Sequence, residues 1–263
     1  MTAPAFLYKI PIVCYDKKTE ITAGCCAFWG ERLLINTQGE KYMKEQSDRT
    51  SVWIENGETA QQFFCSERKK NIFLIGDSIR RGYCASVREN LADVAQVFYV
   101  DENCRSTQFV IFSLKKWAAM FDRPELVDIV HFNCGHWDVA HWNGYSLPLT
   151  SEDEYAKNIQ MIITLLRRFF PNAQLVFATT TPMNPDGGSI GGINPRSNES
   201  IDKYNKTASR IAMENGVEIN DLNQYMKNWE SKHYIDTCHL TPDAFAVLGK
   251  EVARVLYMKM EDK

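Results

Sequence analysis

The sequence predicts a three-layer α/β/α domain on a five-stranded parallel sheet, preceded by a short β-rich N-terminal extension. Three observations predict it. From residue 71 onward, short apolar runs rich in Val, Ile, Phe and Tyr alternate with longer amphipathic ones, the pattern of strands joined by helices that cross a parallel sheet. Five such strand and helix units follow one another, enough for one sheet covered on both faces. Residues 1–70 have a different texture, with short apolar stretches separated by Gly24, Gly30, Gly39 and Gly57.

In the extension, residues 10–15, 32–36 and 51–55 read as short strands. Hairpins this short rarely stand alone, so residues 1–70 are either a small accessory domain or an extension packed on residues 71–263. The main domain begins with a strand at 72–75. It runs into Gly76-Asp77-Ser78 and then a helix starting near Ile79. Further strands are predicted at 95–100, 127–132, 175–179 and 217–219, with helices between them. The clearest helix covers 152–170, where Ile159, Ile162, Ile163, Leu166 and Phe170 recur at spacings of three and four before Pro171. Ser151 and Glu154 have the spacing of a capping box. Residues 184–198 hold Gly187-Gly188, Gly191-Gly192 and two prolines, a long loop suited to border a site or cover it. The last helix follows Thr241-Pro242, proline taking its first position, and puts Phe245, Leu248, Val252, Val255 and Leu256 on one face.

Bulk properties narrow the partners. The chain has 263 residues, 44% of them hydrophobic, and a formal charge of −3. That balance offers no basic field for phosphates or anionic lipid, so neither nucleic acid nor a membrane is expected as a partner. The first 18 residues lack the basic and apolar segments of a signal peptide, and no apolar run approaches the roughly 20 residues needed to cross a bilayer. A cytoplasmic location is expected. The eight cysteines then read as reduced thiols, and none shows the paired C-x-x-C spacing of a structural zinc site. No cofactor or metal is expected, and the oligomeric state is left open.

Ser78 falls at the carboxyl end of a strand and the start of a helix, the edge where open α/β sheets bind ligands. Free N–H groups and the positive end of the helix dipole favour a developing oxyanion there. A serine hydroxyl needs a base, and the base needs an acceptor to hold its tautomer. Asp236-Thr237-Cys238-His239 offers both, in the loop between the fifth strand and the last helix. Loops after the first and fifth strands open at the same edge, which lets Ser78 and His239 meet. His131, His136 and His141 cluster in one segment, but without an H-E-x-x-H pattern they read as ordinary packed or polar histidines. Trp137, Trp142 and Tyr145 lie on a loop expected at the same edge, where aromatic faces suit a sugar ring or an acyl chain.

Gly76-Asp77-Ser78 and the stretch from Asp236 to Thr241 resemble the first and fifth motif blocks of SGNH/GDSL hydrolases. The resemblance covers about residues 71–258. It implies a flavodoxin-like fold, a nucleophile at Ser78, a base at His239 and its orienting carboxylate at Asp236, with no cofactor. The family hydrolyses carboxylic esters and thioesters, including acetyl groups on sugars. Its second block supplies a glycine N–H to the oxyanion hole. Here Cys104 is the best match and Arg105 the next. Its third block reads Gly-x-Asn-Asp, and this chain has Gly135-His136-Trp137-Asp138, with Trp137 where the donor Asn belongs. The hole then uses Ser78 with Asn133, the Trp137 indole, or backbone donors alone, Asn133 being favoured. Arg105 and Trp142 are the candidate substrate contacts.

The expected activity is a serine esterase acting through an acyl-enzyme on a small or oligosaccharide ester, preferably an acetylated carbohydrate. A thioesterase, lysophospholipase or acyltransferase would use the same three residues. A non-catalytic binding protein on a hydrolase scaffold is the alternative from another class, motivated by Trp137 and the weak second block.

Overall fold

The computed structural model describes residues 34–35, 41–42, 50–55, 58–187 and 194–261, with side chains from Gln61 onward within those ranges. The strand expected at 10–15 and the middle of the 184–198 loop lie outside the described residues. Two compact units divide the chain, residues 1–45 and 46–263. In the first, β1 (Leu34–Ile35) and β2 (Lys41–Tyr42) pair antiparallel.

The second unit opens with an antiparallel hairpin, β3 (Thr50–Glu55) and β4 (Glu58–Phe63). Its last residue, Phe63, is fully buried, with ring centroids 6.2, 5.2 and 4.9 Å from those of Phe73, Phe98 and Phe121. The chain then alternates: β5 (Lys70–Ile75), α1 (Ser78–Asn90), β6 (Ala95–Tyr99), α2 (Thr107–Ala118), β7 (Ile129–Phe132), α3 (Glu152–Phe169), β8 (Gln174–Ala178), α4 (Asn198–Glu214), β9 (Glu218–Asn220), α5 (Leu222–Met226) and α6 (Pro242–Glu261). The five later strands form one parallel sheet in the order β6-β5-β7-β8-β9. This is the expected three-layer fold.

Alternation along each strand builds the two outer layers. Phe73, Ile75, Phe98, Val130, Phe132, Leu175 and Phe177 point to one face, where they pack with apolar residues of α2, α3 and α4. Ile72, Leu74, Val97, Tyr99, Ile129 and Val176 point to the other, against α1 and α6. The strands β5, β6, β7 and β8 are buried on both faces, as parallel strands between helices are. The capping box of α3 is present, with Ser151 and Glu154 in the expected roles.

Two strand boundaries differ from the sequence expectation for a local reason. The third strand starts at Ile129 rather than 127, because Val127 N–H closes a turn on Pro124 O at 3.2 Å. The first strand starts earlier, at Lys70, since the Asp128 carboxylate holds its end: it accepts from Asn71 N–H at 2.9 Å and Lys70 Nζ at 3.0 Å. From β5 the chain passes to β6 on one side and then crosses to β7 on the other. The crevice at the carboxyl ends of β5 and β7 is therefore a topological switch point.

Candidate active site

Ser78 is the first residue of α1, directly beyond β5. Asp77 caps the helix, its Oδ1 accepting from Ile79 N–H at 3.0 Å. The Ser78 N–H has no partner among the described residues and lies at the positive end of the helix dipole. His239 reaches this point from a loop folded back on itself. Ile235 N–H donates to His239 O at 2.9 Å, and Thr241 N–H to His233 O at 2.8 Å. His239 Nε2 lies 2.8 Å from Ser78 Oγ, and Nδ1 lies 2.7 Å from Asp236 Oδ2. The other Asp236 oxygen accepts from the N–H groups of Cys238 and His239 at 2.8 and 2.7 Å, which fixes the carboxylate in one orientation.

These contacts set the charges. The Cys238 sulfur, 3.8 Å from Nδ1, favours the protonated imidazole, as does the Asp236 carboxylate, against the burial that opposes it. Together they push His239 up to about 9. Burial pushes the Asp236 carboxyl up, but the N–H groups of Cys238 and His239 and the imidazole outweigh it and hold it below its ordinary value. Asp77 is fully buried, and that burial raises its carboxyl above the usual range, against the Ile79 N–H and the charges of Arg196, His239 and Arg80.

Asn133 stands at the end of β7, beside the loop that carries Ser78. Its N–H donates to Ile75 O at 3.0 Å, and its Oδ1 accepts from Asp77 N–H at 3.4 Å. A backbone donor at Oδ1 fixes which way the amide faces. Its Nδ2 donates to no described residue, although the side chain is only 4% exposed. The approach is close because residue 76 is glycine: a Cβ there would come within 2.3 Å of Asn133 Oδ1.

Cys104, expected as an oxyanion donor, is corrected by the structure. Its N–H donates to Gly76 O at 3.1 Å, and its buried thiol sits beside the Arg80 guanidinium. Arg105 is the residue with the left-handed backbone that glycine usually supplies, at φ 51°. Its own N–H is taken by Asn103 Oδ1 at 2.9 Å. Trp137 stacks on Trp142 with ring centroids 4.5 Å apart, and Trp142 Nε1 donates to Trp137 O at 3.0 Å. The Arg105 guanidinium lies 4.7 Å from the Phe109 ring centre and 5.9 Å from that of Trp137. The structure thus brings Arg105, Trp137 and Trp142 together as one group.

The three histidines of this segment do not converge. His131 Nε2 lies 3.1 Å from Asn220 Nδ2, His136 Nε2 lies 3.0 Å from Thr181 Oγ1, and His141 Nδ1 lies 3.0 Å from Tyr145 O. Among the described residues, Asp236, Cys238 and His239 have the composition of a metal site, but two of their donor atoms already bond each other. A groove of about 570 Å³ between α1 and α6, lined by Gly82, Ser86 and Lys250, holds none of these side chains.

Sequence reasoning missed Arg196. It stands just before α4, donates through Nη1 to His136 O, and reaches Cys238 Sγ through Nη2 at 3.4 Å. It ties the loop after β7 to the loop carrying His239. The only sequence signal was its place at the end of the glycine-rich loop. Asp138, matched but given no role, is buried and accepts from Thr107 N–H at 3.1 Å, Thr107 Oγ1 at 2.5 Å and Thr150 Oγ1 at 2.9 Å. Burial pushes it up to about 6 against those donors. It fastens the start of α2 to the same loop.

No protein-family model matches the chain. A GDSL esterase/lipase of Arabidopsis thaliana is 26% identical over 208 residues, 72% of this chain and 64% of that protein. A second from the same plant is 29% identical over 116 residues, 39% of this chain and 48% of that protein. The match therefore spans less than two thirds of either relative. Among solved structures, an acetyl xylan esterase is similar with a TM-score of 0.57 at 18% identity, covering 71% of this chain and 99% of that one. A carbohydrate acetylesterase from Sinorhizobium meliloti gives 0.58 at 14%, covering 72% and 99%. A lipase/acylhydrolase from Enterococcus faecalis gives 0.56 at 16%, covering 72% and 96%. At these identities the structural likenesses establish a shared fold.

Proposed function

We propose that the chain is an SGNH/GDSL-type hydrolase, a carboxylic ester hydrolase working through an acyl-enzyme at Ser78. The observation that carries this reading is the unbroken chain of contacts from Ser78 Oγ through His239 to Asp236, at 2.8 and 2.7 Å. A binding protein has no need of that alignment. In the proposed reaction Ser78 Oγ attacks the ester carbonyl while His239 Nε2 takes its proton. Asp236 holds the Nδ1 proton and so keeps Nε2 facing the serine. Collapse of the tetrahedral intermediate expels the alcohol, which leaves with the proton from His239. Water then repeats the sequence on the acyl-enzyme, releasing the acid and restoring Ser78.

The negative oxygen of each intermediate needs donors in place beforehand. Ser78 N–H supplies one and Asn133 Nδ2 the other in this reading, both without partners among the described residues. The preferred substrate is an acetylated carbohydrate. The paired Trp137 and Trp142 rings on the segment after β7, grouped with Arg105, support this, since aromatic faces suit sugar rings. So does the acetyl xylan esterase and carbohydrate acetylesterase activity named for two structural relatives.

Acetate release from 4-nitrophenyl acetate tests the chemistry. Ser78→Ala and His239→Ala are expected to abolish it, and Asn133→Ala to lower kcat by about 10²–10³, the usual effect of losing one oxyanion donor. Undiminished turnover in Ser78→Ala would overturn the assignment. A fluorophosphonate should also label Ser78 in the unaltered protein.

A further inference from the structure

Two guanidinium groups stand beside the nucleophile loop, and they are used differently. Arg196 is committed to protein atoms through both terminal nitrogens. Arg105 is exposed and donates no side-chain hydrogen bond to any described residue. No carboxylate among the described residues answers it. Glu102, three positions back in the same loop, is turned to Trp117 Nε1 at 2.6 Å and Lys116 Nζ at 3.6 Å.

Arg105 is nevertheless held in place. Its backbone is in the left-handed region, and Asn103 Oδ1 secures its N–H. Its neighbour Cys104 is bonded to Gly76, two residues before the nucleophile. Its guanidinium rests over Phe109 and near Trp137. Packing on ring faces orders a planar guanidinium while leaving its N–H edges unsatisfied. An ordered fork of free donors matches a carboxylate, which it binds by two parallel hydrogen bonds.

We propose that the ester cleaved at Ser78 is an acidic sugar, whose carboxylate is bound by the Arg105 guanidinium while its ring lies against Trp137 and Trp142. This rests on the deacetylase reading and adds a charge requirement to it. The alcohol portion carries the carboxylate, the acyl portion being acetyl.

The test compares acetate release from O-acetylated methyl glucuronide with release from O-acetylated methyl glucoside, which differ in the carboxylate at C6. The unaltered protein is expected to favour the glucuronide in kcat/KM by roughly tenfold to a hundredfold, the range of a charge-assisted hydrogen-bond pair. Arg105→Gln should bring the ratio close to one, and Arg105→Lys should keep only part of it, since lysine retains the charge but not the fork. Because each variant is read as a ratio of two substrates, a general loss of fold or activity does not imitate the result. Equal rates on both sugars in the unaltered protein, or a ratio unchanged in Arg105→Gln, would overturn the inference and leave the esterase reading standing. Release from neither sugar, with 4-nitrophenyl acetate still cleaved, would overturn the acidic-sugar and deacetylase readings together.

Discussion

In the proposed reaction His239 is the base, and its neighbours set the pH at which it would work. To act as a base it must begin unprotonated, yet the Cys238 sulfur and the Asp236 carboxylate push it up to about 9. Below that value the neutral fraction falls tenfold per pH unit, so kcat/KM for 4-nitrophenyl acetate is expected to rise with pH and level off near 9. Cys238→Ala removes the larger of the two influences and should move this limb to lower pH. The charged and titratable groups facing His239 are Asp236 and Cys238 on its own loop, Asp77 before α1 and His136 after β7, with Arg196 reaching in before α4. Only the first two raise it strongly, which is why the substitution is made at Cys238. A limb at the ordinary histidine value, unmoved by the substitution, would show that the thiol contact does not govern the base.

At the level of elements, α1 begins at Ser78, the proposed nucleophile, and α6 follows His239, the proposed base, so the packing of the two helices transmits position to both. Gly249 of α6 sits so close to α1 that a Cβ there would come within 2.5 Å of Ser86 Cβ and 2.9 Å of Tyr83 O. The Ser86 Oγ can rotate away, but Ser86 Cβ and the Tyr83 carbonyl are fixed by the helix backbone and cannot give way. Gly249→Ala is therefore expected to destabilise the fold by about 1–3 kcal/mol, as overpacking does, seen as a Tm several degrees lower in thermal unfolding. An unchanged Tm would mean the two helices can separate without cost. This contact was not legible in the sequence, whereas the strands, the α3 capping box and the proline start of α6 were. Period and capping are local, so 159, 162, 163 and 166 declare a helix without knowledge of its neighbours. Ser78 and the Asp236–His239 stretch were legible for a similar reason: each lies where a strand or loop hands over to a helix. Cys104 was misread because its N–H partner, Gly76 O, is 28 positions away in the chain. Arg196 was invisible because both its acceptors come from other loops.

Across the whole molecule, the buried ionisable groups pull stability in opposite directions with pH. His131 is fully buried, and loss of solvation lowers it to about 4. The unfolded chain thus takes up its proton first, near 6.5, and as pH falls from there to about 4 the fold loses ~3 kcal/mol. Asp138 behaves inversely: burial raises it to about 6, so as pH falls from 6 toward 3.8 the fold takes up the proton first and gains ~3 kcal/mol. His136 has the sense of His131 and Asp77 the sense of Asp138. The opposing changes share the window between about pH 4 and 6, and in the unaltered protein they offset each other there. Substitution should separate them. His131→Gln removes a loss, so its unfolding free energy should rise on going from pH 7 to 4.5, relative to the unaltered chain. Asp138→Asn removes a gain, so its free energy should fall over the same interval. Denaturant unfolding at each pH measures both slopes, and parallel slopes for the two variants would refute the assignment of these charges to opposite sides of the balance.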